Sequence, residues 1–157
     1  MISGRTRDCR RSTIRHRGPS ISTFRNGVPA LDTNIVSQLV ARPHGEIAER
    51  VGELGEDRAV TSMIVAAELR FRRLSFRIEA VLKGLQVLPF EAPADAVYAR
   101  LGADLERRGR PIGGNDLLIA AQALAVGHVL VSDNEREFAR VAGLQVENWL
   151  RTRRARR

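Results

Sequence analysis

The chain has 157 residues, a formal net charge of +8, 43% apolar and 28% charged residues, a composition that fits one soluble globular domain. No apolar run approaches the ~18 residues that span a bilayer, so a membrane protein is not expected. A single cysteine, Cys9, rules out an internal disulfide and, beside only three histidines (His16, His44, His128), does not furnish the usual Cys/His zinc set; a reducing, cytoplasmic setting is expected, and any metal must be held by carboxylates.

The charge is unevenly distributed. Residues 1–27 carry +6, residues 151–157 carry +5, and residues 28–150 carry −3. The first segment has no apolar periodicity and no apolar core of a secretory signal. It is expected to be a basic, disordered extension, with a transit peptide or a start nearer Val28 as alternatives. The second is expected to be a solvated basic tail. The foldable domain is expected at 28–150.

Within that domain, Val28–Leu31 is a predicted strand followed at once by Asp32, Thr33 and Asn34, and Ile35, Val36 and Leu39 mark a helix. Ile47, Val51 and Leu54 recur at helical spacing. Ala59-Val60 is a short strand, and Thr61 or Ser62 can cap a helix through Leu69. Ile78, Val81, Leu82 and Leu85 predict another helix, and Val87-Leu88 a strand. Pro93 opens a long helix that Gly109 stops. Asn115 is expected to cap a helix from Asp116 to Val126. His128–Val131 is a strand, Ser132 with Glu135 reads as a capping box for a short helix through Phe138, and Gln145–Glu147 is a final strand. Alternating strands and helices predict an α/β fold, a three-layer α/β/α sandwich around a mostly parallel sheet.

In such sheets ligands bind beyond the carboxyl ends of the strands. Asp32 and Asp133 fall there, Asp116 opens a nearly uncharged helix, and Glu68 sits among apolar neighbours. For the three aspartates, helix capping is the simpler explanation of each taken singly. Glu68 needs a partner, because a buried lone charge costs several kcal/mol. Arg70, Arg72, Arg73 or a cation could supply it. Asn34, Asn115 and Asn134 beside the aspartates also fit ordinary turn chemistry. If the four acids converge, like-charge repulsion calls for a cation, and Mg²⁺ or Mn²⁺ prefers oxygen ligands of this kind.

Four segments carry a family resemblance: LDTN at 31–34, TSMIVAAEL at 61–69, RGRPIGGNDLLIAAQAL at 108–124 and LVSDNEREFARVAGLQVENW at 130–149. Together, in this order, they resemble the PIN-domain ribonucleases of the VapC toxin group over residues 28–150. The resemblance implies a PIN-like fold and Mg²⁺- or Mn²⁺-dependent endoribonuclease activity. It also implies homodimerisation and a cognate antitoxin that blocks the active site. Asp32 and Asp116 match the metal-binding aspartates, and Glu68 matches the glutamate of the second motif. The fourth acidic position falls to Asp133 or to Asn134, and Ser132 matches a supporting hydroxyl, with Asn34 alongside. The stretch from Glu68 to Val87 is shorter than the family pattern, which touches the expected dimer and antitoxin surfaces.

An inactivated PIN-like module that binds RNA or protein without cleavage is the alternative. A receiver domain would need a late lysine, and the one lysine is Lys83. A haloacid-dehalogenase phosphatase would need Asp-x-Asp where this chain has Asp-Thr-Asn. The RNA is expected to be steered to the acidic centre by Arg70, Arg72, Arg73, Arg107, Arg108 and Arg110.

Overall fold

The computed structural model describes residues 27–55, 58–72 and 75–151. The expectations for the extension and the tail therefore lie, Gly27 and Arg151 apart, outside the described residues, as does Arg73.

Five short strands form one parallel sheet: β1 (Pro29–Leu31), β2 (Val60–Ser62), β3 (Gln86–Leu88), β4 (Val129–Val131) and β5 (Val146–Glu147), in the order β3-β2-β1-β4-β5. Ala30 pairs with Val60 on one side and with Leu130 on the other, so β1 is central. Strands β1, β2 and β4 are buried along their whole length, as expected where helices cover both faces of a parallel sheet. Pro29, which lacks an amide proton, stands at the first position of β1, where a ladder bond is least missed.

The helices are α1 (Thr33–Ala41), α2 (Glu46–Leu54), α3 (Met63–Arg72), α4 (Phe76–Lys83), α5 (Ala94–Arg107), α6 (Gly114–Ala125) and α7 (Glu135–Phe138). Ile35, Val36 and Leu39 of α1, Val65 and Leu69 of α3, and Ile78 and Leu82 of α4 enter one core with Leu31, Leu130 and Phe138. Phe138 is fully buried, and its truncation to Ala would cost about 3–5 kcal/mol. Gly102 of α5 faces Leu117 of α6 so closely that an added Cβ would stand 3.3 Å from Leu117 Cδ2. This small residue lets the two helices approach. Buried Gln122 donates from Nε2 to the carbonyls of Leu88 and Pro89, tying α6 to the end of β3.

Ser62 ends β2 and caps α3 as expected, its Oγ accepting from the Ile64 amide at 3.0 Å. Two local expectations are corrected. Helix α6 begins at Gly114 with Gly113 as its cap residue, so Asn115 lies inside the first turn and makes no cap. Ser132 and Glu135 form no capping box. Asn134 takes the cap position of α7 without a side-chain cap bond, and Ser132 Oγ donates to Asp32 Oδ2 and accepts from the Asn134 amide.

Candidate active site

The strand order reverses at β1, with β2 on one side and β4 on the other. This switch point leaves a crevice at the carboxyl ends of the two central strands. Asp32 ends β1 there and is only 4% exposed. The Thr33 amide donates to its Oδ1 at 2.7 Å and Ser132 Oγ donates to its Oδ2 at 2.7 Å. Burial nevertheless pushes the Asp32 carboxyl above its usual range, aided by the charges of Glu68 and Asp133.

Asp116 stands in the first turn of α6, whose positive end favours an anion. Burial first, then the negative charges of Asp32, Glu137 and Glu68, push it up to about 6. Burial and the neighbouring acids act here against the helix dipole, which favours the charged form.

Glu68 lies midway along α3 and is half-buried. Thr33 Oγ1 donates to its Oε2 at 2.8 Å, and Arg72 Nη2 bonds to its Oε1 at 2.7 Å. Of its candidate partners among the described residues, Arg72 is engaged, while Arg70 pairs with Glu79.

The fourth position is divided. Asp133 is exposed and accepts from Asn34 Nδ2. Asn134 donates to Asp116 Oδ2 at 3.3 Å and to Glu137 Oε2 at 2.9 Å. Asn34 also donates to Ser132 Oγ at 3.4 Å, and its own Oδ1 is buried without a partner. Arg107 and Arg108 both bond Asp104, one turn back on α5. The Arg110 side chain makes no ion pair among the described residues.

Glu137 was not among the residues singled out from the sequence. Its Oε1 accepts from the Gly113 amide at 2.9 Å while Oε2 holds Asn134. These bonds, Asn134 first, hold its carboxyl below the usual range. Glu137 thereby ties the loop before α6 to the turn after β4. The signal was present: an Asn-x-x-Glu spacing runs from Asn134 to Glu137, two residues along from Ser132 and Glu135.

Among the described residues, no group of three or more His, Cys, Asp or Glu side chains stands close enough to share a metal ion. The four carboxylates therefore do not form one closed cage. Mg²⁺ seldom asks for one, since it takes one or two carboxylates and keeps several waters. Asp32 and Asp116 offer oxygen donors whose charged forms are disfavoured by burial and by neighbouring acids, and the Asn34 carbonyl adds an unpartnered oxygen nearby. Such a donor set fits a hard divalent cation.

A parallel sheet with an acidic crevice at its switch point is the architecture of the PIN domain, and the chain belongs to that family: the PIN-domain family model matches residues 30–144. Within it, the chain belongs with the VapC ribonucleases. It is 37% identical over 128 residues to ribonuclease VapC2 of Haemophilus influenzae, a match covering 76% of this chain and 96% of that protein. It is 33% identical over 127 residues to the tRNA(fMet)-specific endonuclease VapC of Shigella flexneri, again covering 76% and 96%. Among solved structures it resembles a chain of VapBC2 from Rickettsia felis bound to a promoter DNA fragment, with a TM-score of 0.71 and 31% identity over 77% of this chain and 98% of that one. No helix among the described residues is long and apolar enough to cross a membrane.

Proposed function

We propose that this chain is the toxin of a toxin–antitoxin pair, an endoribonuclease that hydrolyses RNA phosphodiester bonds with Mg²⁺ or Mn²⁺ and is neutralised by a cognate antitoxin. The observation that carries the reading is the meeting of Asp32 and Asp116 at the sheet's switch point, both held above their usual carboxylate range. Kinship with proteins named ribonucleases supports it. The VapBC and FitAB complexes among the similar structures support an antitoxin partner. The active form is a homodimer on the family pattern.

Asp32 and Asp116 are the residues that would hold the cation. Bound there, it supplies a more acidic water and neutralises charge on the phosphate. Ser132 and the Thr33 amide fix the Asp32 carboxylate by two bonds, so its oxygens need not reorganise. Glu68, whose carboxylate is held by Thr33 and Arg72, would accept a proton from the attacking water. Asn134 orients Asp116, and Glu137 holds Asn134. Asp133 adds negative charge that raises the Asp32 pKa and keeps Asn34 in place.

Incubating the full chain with RNA in Mg²⁺, in Mn²⁺ and in EDTA tests the proposal. Internal cleavage is expected with either cation and none with EDTA. Cleavage that persists in EDTA would contradict it.

A further inference from the structure

We propose that the cleft between α1, α3 and α4 is a subsite for one unpaired nucleotide of the RNA substrate, next to the cleaved bond. This rests on the ribonuclease reading above and adds where the strand lies. The cavity measures about 650 Å³, within the range that accommodates small organic ligands. Ser37, Arg72, Ser75, Phe76 and Arg77 line it, over an apolar floor that includes Leu69.

The cleft shares a wall with the acidic centre. Arg72 lines the cleft and bonds Glu68 at 2.7 Å. Ser37 lines it from α1 and donates to the Thr33 carbonyl at 2.7 Å, and Thr33 in turn bonds Glu68. A strand seated in the cleft therefore runs directly to the acids. The Arg72 side chain remains 69% exposed while holding Glu68, so its other nitrogens are free for a phosphate.

The lining is selective by charge and shape. Among the described residues it contains two arginines and no carboxylate. Arg77 makes no ion pair among the described residues and sits second in α4, where the helix dipole disfavours a cation. Phe76 opens the same helix and is 88% exposed, so it contributes little to the core. Neither side chain stabilises the helix it begins. Both suit single-stranded RNA: a guanidinium pairs with phosphate, and an aromatic face stacks on an unpaired base. In lacking an ion pair among the described residues, Arg77 differs from Arg72, paired with Glu68, from Arg70, paired with Glu79, and from Arg107 and Arg108, paired with Asp104.

The test uses the full chain and a fluorescein-labelled single-stranded RNA of mixed sequence. Binding is followed by fluorescence anisotropy in Ca²⁺ at several salt concentrations. Phe76→Ala should weaken binding about tenfold, a loss expected for one stacked base, and Phe76→Trp should bind like the parent. Arg77→Ala should weaken binding and reduce the salt dependence by about one phosphate contact. Both residues are exposed and neither bonds an acid of the site, so thermal melts should match the parent. If Phe76→Ala and Arg77→Ala bind RNA like a parent that still cleaves it, the cleft is no RNA subsite, while the ribonuclease reading stands. A parent that neither binds nor cleaves RNA overturns both.

Discussion

Ser132 donates its hydroxyl proton to Asp32 Oδ2 at 2.7 Å, joining residues 100 positions apart in the chain. The bond closes the gap between the ends of β1 and β4 and holds the most buried acid of the site in one orientation. Ser132→Ala would leave a carboxylate that is 4% exposed with one bond fewer. The expected loss is about 1–3 kcal/mol of stability, together with a further rise in the Asp32 pKa and weaker Mg²⁺ binding. Thermal melts and calorimetric Mg²⁺ titration check both. Unchanged Mg²⁺ affinity would show that Ser132 only packs.

Replacing Asp116 by Asn should make the metal-free protein more stable at pH 7. The Asp116 pKa is raised to about 6 by burial and by neighbouring acids, against about 3.9 when unfolded. The folded chain therefore holds a proton that the unfolded chain releases between those values. Stability from this group is present below pH ~4 and is lost as pH rises through ~6. Allowing for partial exposure, removing the charge should return about 1–2 kcal/mol at neutral pH. A lower melting temperature for Asp116→Asn in EDTA at pH 7 would contradict this.

Cation binding should follow the same group in the opposite sense. A proton on Asp116 competes with the cation, so Mg²⁺ affinity should fall as pH drops through about 6. Titrations between pH 5 and pH 8, a window bracketing that value, provide the check. A flat profile would remove Asp116 from the cation site.

Glu137 acts on the site through Asn134, the Gly113 amide and its own charge. Glu137→Gln should lower RNA cleavage about tenfold by loosening Asn134. It should also move the pH midpoint of Mg²⁺ binding downwards, since one of the charges that raises the Asp116 pKa is gone. A merely structural residue would leave that midpoint where it is.

Strand and helix alternation was legible because β1, β2 and β4 are short apolar runs buried on both faces, and α1, α2 and α4 keep apolar residues on one side. Element boundaries were less so. Ser62, Asn115 and Ser132 all have residue types that favour caps, and Ser62 does cap α3, yet Asn115 lies inside α6 and Ser132 turns to Asp32 across the sheet. Local pattern cannot register a bond spanning 100 positions. The positions of Asp32 and Asp116 followed from strand ends and helix starts. The bond from Asn134 to Glu137 is local and its spacing was legible, but the bond from the Gly113 amide forms only once β4 and α6 are side by side. The pairing of Arg107 and Arg108 with Asp104 at the end of α5 was not drawn from the sequence.

The most direct test of the account is the rate of RNA cleavage by the full chain, stripped with EDTA and titrated with Mg²⁺, beside Asp116→Asn under the same conditions. The parent should gain activity with added Mg²⁺, while Asp116→Asn, with its fold intact by circular dichroism, should remain at background across the titration. Equal cleavage by the two proteins, or a folded parent that fails to cut any RNA at saturating Mg²⁺, would contradict the assignment of this acidic crevice as a metal-dependent ribonuclease site.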